Sequence, residues 1–366
     1  MIPPSFVPEG DPALRTGSKG RTNGPGIIKR GTSYFGNRDL RHFRRDLDDM
    51  QAFPFHYLLH TFSENDLLYY RATLRDMVWA AKDKGLEVYI DPWGVGKVFG
   101  GEAFSQFIAE NPDECQILTN GQRVPAACLT SQKFQDFMSR WIEGAIFLGP
   151  DVIFWDEPHY YLDLALASKS PNTYHLWSCF CGRCRRLFKE EAGFAMPAVL
   201  TDEVIQFRKS ILMNFLKDIC RQVREQGVKN AVCLLPVPDK KIENFLGGDI
   251  WKEISRLQDV DILSTDPYGI LFNIPVESFV RDYGQKVSRL SERHQKESEI
   301  WIQAFRIPKG AEMEVVKSIE TAADCQPHRI AVWSYQGTSC MSELSCEEPE
   351  IVWEKIRDAF AKLNSN

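Results

Sequence analysis

A parallel (β/α)8 TIM barrel is the fold class this sequence predicts, on three observations. Eight short apolar segments recur along the chain, each followed by an amphipathic stretch of helical period. Strands that all run one way need crossover helices and a parallel sheet, and eight such units close on themselves. Three of the strands also end alike. Val152-Ile-Phe-Trp155 runs into Asp156-Glu157-Pro158, Val88-Tyr-Ile90 into Asp91-Pro92, and Ile262-Leu-Ser-Thr265 into Asp266-Pro267. The competing arrangement is an open doubly wound sheet, and the tally of eight favours the barrel.

In order, strand one runs from Ile27 to Phe35, with its helix over Asp39–Gln51. Strand two is Tyr57–Thr61; Ser63 then starts a helix that continues through Leu67–Lys84 and stops at Gly85. Strand three is Leu86–Asp91 and strand four Val152–Asp156. A long helix over Asp202–Gln226 is closed by Gly227, and strand five follows at Ala231–Leu235. Strands six, seven and eight are Val260–Thr265, Ile300–Ala304 and Ile330–Trp333, and Pro349–Leu363 supplies the last helix. Long loops after strands three and four (Trp93–Ser131 and His159–Thr201) leave the carboxyl ends of their strands, where barrels of this class keep their chemistry.

The 366 residues suit one barrel with insertions, here residues 27–366, preceded by a Pro- and Gly-rich extended arm over 1–26 that has no apolar signal core. A net charge of -6 gives no basic footprint for nucleic acid. No apolar run approaches the ~20 residues of a membrane span. An aromatic content of 12% with scattered acids suits carbohydrate binding. Ten cysteines without an export signal point to thiols and metal ligation in the cytoplasm rather than to disulfides.

Cys179-Phe-Cys-Gly-Arg-Cys184 has the C-x-C-x-x-C spacing with which three thiolates can share one structural zinc ion, the fourth ligand coming from elsewhere. The alternative is three free thiols in a loop. Together with Asp156-Glu157, this loop resembles the family 42 glycoside hydrolases, zinc-bearing β-galactosidases of barrel fold; Phe188 and Gly193 continue the likeness. The segment Cys128-Leu-Thr-Ser-Gln-Lys-Phe134 is similar to the one that carries that family's fourth zinc ligand, which implies Cys128, with Cys115 in reserve. The likeness covers roughly residues 125–193 and implies a glycoside hydrolase, a carbohydrate substrate and the homo-oligomers common in that family. More broadly, the chain resembles the hypothetical glycoside hydrolase barrels that share the Cys-rich loop and a Trp-Asp-Glu-Pro strand ending. Glu157 matches the family's acid/base. Asp156 replaces its Asn, and strand seven ends in Gln303 where the family has its nucleophilic Glu, so the two-Glu machinery does not carry over whole.

Glycoside hydrolysis needs two carboxyl groups flanking the bond. The candidates are Asp156 as nucleophile and Asp266 as acid, an arrangement resembling the α-galactosidase type of barrel, with Glu157 as the alternative acid/base. Strand alternation puts Asp156 and Glu157 on opposite faces, so only one of them is expected to point over the pore. The candidate substrate-binding residues are Asp91, Trp93, Glu102 in the Gly-Gly turn, His159, Tyr268, Gln303, Trp333 and Tyr335; His60 and Glu64 carry less weight. Rings just beyond strand ends can stack on a pyranose. A non-catalytic carbohydrate-binding barrel is the second expectation, motivated by Gln303. A metal hydrolase is disfavoured, because the metal motif is all cysteine and strand one lacks His-x-His.

Overall fold

The computed structural model describes residues 27–53, 55–161 and 176–363; the expected arm over 1–26 lies outside them. Eight parallel strands close a barrel: β1 (Lys29–Tyr34), β2 (Tyr57–Thr61), β3 (Glu87–Asp91), β6 (Val152–Trp155), β7 (Lys229–Cys233), β8 (Ile262–Thr265), β9 (Glu297–Gln303) and β10 (Arg329–Trp333). β10 pairs with β1 to shut the ring, Ala331 opposite Gly31. An antiparallel hairpin, β4 (Cys115–Ile117) and β5 (Arg123–Ala127), lies in the loop after β3.

Side-chain alternation divides the core. Val152 and Phe154 join Tyr57, Tyr89 and Trp301 inside the barrel, while Ile153 and Trp155 pack outward beneath the helices. The Tyr57 ring fills the interior only because position 31 is glycine; a Cβ there would lie 2.3 Å from the ring. At the amino-terminal end, the fully buried Arg329 guanidinium reaches Glu87 and Glu297, each at 2.6 Å. Trp301 donates its indole N–H to Glu299 at 2.9 Å. These bonds close the floor of the barrel with ion pairs.

The helices begin where the sequence provides caps. Asp39 accepts from the backbone of Arg41 and His42 ahead of α1 (Leu40–Gln51). Ser63 and Asp66 form a capping box on α2 (Glu64–Tyr69). The single helix expected after Ser63 is in fact two, because Tyr70 leaves helical dihedrals (φ -120°, ψ 9°) before α3 (Arg71–Asp83). Arg38 clamps Asp66 through two bonds of 2.7 and 2.9 Å, which fixes α2 at the barrel mouth while α3 returns along the wall. Strand seven starts earlier than its apolar run, at Glu297, because Glu297 and Glu299 are held by Arg329 and Trp301. The loop after β3 carries α4 (Gln106–Glu110) and the hairpin, and leads into α5 (Gln132–Phe147). The loop after β6 carries α6 (Gly182–Ala192) ahead of α7 (Asp202–Glu225). No helix among the described residues is long and apolar enough to cross a membrane.

Candidate active site and cysteine cluster

β6 ends with Trp155, and the next residue, Asp156, stays on the interior face. Glu157 would point away by simple alternation, but its φ of +42° is left-handed and turns the side chain back. That conformation costs a non-glycine residue about 1–2 kcal/mol. Both carboxylates therefore line one cavity of about 760 Å³ at the carboxyl end of the strands. The expectation that only one would do so is corrected by this turn.

The loop after β3 seals the site. Gly100 N–H donates to the Asp156 carbonyl at 3.0 Å, and His159 N–H to the Val98 carbonyl at 3.1 Å. A Cβ at Gly100 would stand 2.3 Å from Asp156 Oδ2 and 3.4 Å from Glu157 Oε2. Gly100 thus serves the approach of the protein's own carboxylates, and Gly101 that of the Trp93 ring. Glu64 is no part of the cavity lining; its carboxylate accepts from Gly96 N–H (2.9 Å), Ser105 Oγ (2.6 Å) and Phe107 N–H (2.6 Å), holding this loop in place. His60 is fully buried beside Tyr34 and Phe43, away from the cavity.

Asp266, beyond β8, completes the group. Its carboxyl lies close enough to that of Glu157 for each to shift the other's protonation, and Asp266 Oδ1 is buried without a hydrogen-bond partner. Burial pushes Asp266 up to about 8; the adjacent Glu157 opposes this, and repulsion from Asp156 adds to it. Burial, and then Asp266, raise Glu157; burial, and then Glu157 and Glu102, raise Asp156. Among the described residues Arg306 is the one cation lining the cavity, and it is turned toward Glu343 at the rim (Nε to the Glu343 carbonyl, 3.0 Å). Asp91 lies deeper and does not line the cavity. It is wholly buried, neither carboxylate oxygen has a hydrogen-bond partner, and burial followed by Asp156 drives its pKa up.

Trp93, Glu102, His159, Tyr268 and Trp333 all line the cavity. Trp93 donates to Glu102 at 3.2 Å, and Phe35 bridges the Trp93 and Trp333 rings at 5.4 and 5.3 Å. Besides Asp91, two expected residues do not line it. Gln303 accepts from Leu271 N–H (3.0 Å) and donates to the Phe305 carbonyl (3.1 Å), so both ends of its amide are committed to the backbone. Tyr335 points away, donating to Asp49 at 3.1 Å with its ring against Tyr34 and Trp353; a turn with left-handed Gln336 and Gly337 carries it there. An apolar wall formed by Leu235, Val237, Ile242, Leu246, Leu271 and Phe272 was not anticipated. The segments that supply it follow strands five and six and carry no motif.

Cys128, Cys179, Cys181 and Cys184 are buried with their sulfurs within 4.8 Å of one another. Cys128 lies 3.6 Å from Cys179, 3.7 Å from Cys181 and 3.6 Å from Cys184. A tetrahedral ion with metal–sulfur bonds of about 2.3 Å has sulfur–sulfur edges of about 3.8 Å, so this group can hold a metal ion. Cys115 stands apart, against the Asn111 carbonyl at 3.8 Å. All ten cysteines are free of disulfides. Cys181 also caps α6 by accepting from Cys184 N–H, and Phe180 N–H donates to the Ile117 carbonyl at 2.7 Å. The cluster thereby ties the loop after β6 to the hairpin.

No family model and no curated protein matches the sequence. Solved structures do match the fold. The catalytic domain of a β-amylase from Paenibacillus polymyxa aligns with a TM-score of 0.64 at 12% identity, over 91% of this chain and 98% of that one. An endo-1,4-β-mannanase from Rhizomucor miehei aligns at 0.60 and 11%, over 92% and 95%. A GH42 β-galactosidase from G. stearothermophilus aligns at 0.67 and 11%, over 93% of this chain and 57% of that one. At such identities the likeness is one of fold: a (β/α)8 barrel of the kind these hydrolases use.

Proposed function

We propose that this chain is a glycoside hydrolase working by paired carboxyl groups. The observation that carries the reading is the convergence of Asp156, Glu157 and Asp266 from two separate strands in one aromatic-lined cavity. Asp266, still protonated near neutral pH, donates to the glycosidic oxygen as it leaves. Asp156, once ionised, attacks the anomeric carbon or activates water there, and Glu157, beside Asp266, is the alternative acid/base. Trp93 and Trp333 offer faces to the sugar ring, and Glu102 and His159 its polar partners. The barrel resemblances support the same class of reaction.

The metal of the cysteine group is zinc in this reading, structural and remote from the chemistry, since four thiolates leave no open position. Free thiols at all ten cysteines support a reducing, cytoplasmic setting. The second reading, a carbohydrate binder without turnover, is favoured by one observation: β9 ends in a fully committed Gln303 and brings no carboxylate. A panel of aryl glycosides in both anomeric configurations separates the two, because only a hydrolase releases the aglycone. Asp266→Asn is expected to lower kcat at least a thousandfold on any substrate found, with binding retained. Turnover unchanged in that variant removes Asp266 from the mechanism.

A further inference from the structure

We infer that the glycoside taken by this site carries an apolar aglycone, an alkyl or aryl alcohol, in place of a second sugar. The inference rests on the hydrolase reading and deepens it. The cavity has two chemically different sides. Asp156, Glu157, Glu102 and Trp93 gather around the ends of β3 and β6, whereas the segments after β7 and β8 present, beyond Asp266, Leu235, Val237, Ile242, Leu246, Leu271 and Phe272. Pro236 and Pro238, which also face the cavity, have no backbone N–H to offer. The polar side chain within that stretch is Asp239, and its Oδ1 is taken by the backbone N–H groups of Lys241 (2.7 Å) and Ile242 (3.2 Å) at the start of α8 (Lys240–Leu246).

A second sugar laid on this wall would bury more hydroxyls than Tyr268 and the second Asp239 oxygen can bond. Each buried hydroxyl left without a partner costs roughly tenfold or more in binding. An apolar group gains instead, because Leu271 (44% exposed) and Phe272 (37%) stand open at the rim and would be covered. Chain connectivity fixes which part of the substrate meets them. Asp266, the proposed proton donor to the leaving oxygen, leads directly into the short helix Gly269–Phe272, which carries both residues. The departing alcohol therefore lies against the apolar wall, and the glycosyl unit toward Trp93 and Glu102. A volume of about 760 Å³ is room for both.

The test uses the full chain and a series of methyl, butyl and hexyl glycosides alongside disaccharides with the same glycosyl unit. Expected is a kcat/KM that rises about threefold per added methylene and exceeds that of the disaccharide at least tenfold. Leu271→Asp is expected to collapse the hexyl-to-methyl ratio by tenfold or more. Equal or better turnover of disaccharides overturns the aglycone assignment and leaves the hydrolase reading standing. If no glycoside is turned over, the hydrolase reading fails. Calorimetric titration then still decides the wall: hexyl glycoside binding at least tenfold tighter than methyl glycoside, with a negative heat-capacity change, upholds it, and equal affinities overturn it.

Discussion

At Asp91 the protein keeps a carboxyl group in its interior with no hydrogen bond to either oxygen, under a cluster of further acids. Such a group folds more easily neutral than charged. Its folded pKa lies above the unfolded value, so its favourable contribution is complete below about pH 4 and is lost as pH rises through the folded pKa. Asp91→Asn is accordingly expected to raise Tm at pH 8 by several degrees and to change it little at pH 4; a loss of stability at both values would mean that the carboxylate has a partner. His60 has the opposite sign. Burial, and then Arg38, depress its pKa to about 3, so the neutral ring contributes fully above pH 6.5 and its share is lost as pH falls from there toward 3. His60→Leu is expected to flatten the fall in urea midpoint between pH 7 and 4, and an unchanged slope counts against this account.

Between residues and fold stand the two long loops, which the sequence marked by their length, by the Gly-Gly turn of the first and by the cysteines of the second. Their order comes from unlike sources. Glu64 holds the first with three buried bonds, and Gly100 lets it lie on the Asp156 carboxylate. The cysteine group, together with the Phe180–Ile117 backbone bond, joins the second to the hairpin of the first. Elemental analysis is expected to find one zinc ion per chain, lost in Cys128→Ser. That variant is expected to melt well below the parent while its turnover per folded molecule stays the same. Purified chain with no metal ends the zinc assignment.

For the molecule as a whole, the buried ion pairs and the proposed site occupy opposite ends of the barrel. The floor is closed by Arg329 with Glu87 and Glu297, its guanidinium 5.4 and 5.8 Å from the Tyr57 and Tyr89 rings. Removing the one cation that is fully buried there leaves acids without their partner, which typically costs about 3–5 kcal/mol. Arg329→Met is expected to lose that much in urea unfolding with kcat unchanged; a loss under 1 kcal/mol would show that Lys29 and Lys229 take over the pairing. The mouth, in contrast, gathers carboxyl groups in a cavity with one rim arginine, the arrangement on which the proposed hydrolase reading rests.

Much of this arrangement was legible in the residues. The period of apolar segments gives the barrel, and the Asp-Pro and Asp-Glu-Pro endings identify the rim, because backbone direction and side-chain alternation are local properties. Tyr335 and Gln303 show where such reading stops: each stands at or just past a strand end, as Trp333 does, yet a left-handed turn removes one and two backbone bonds occupy the other. The apolar wall was invisible for the same reason, since Leu271 or Ile242 in a loop looks like any other aliphatic residue until the chain closes. What the sequence by itself determined is the set of strands, the acids at their ends and the cysteine spacing. Only the tertiary structure decided that Glu157 turns inward, that it meets Asp266, and that Cys128 joins the other three sulfurs. Those are contacts between residues far apart in the chain, chosen by the closure of the barrel and by a single φ angle.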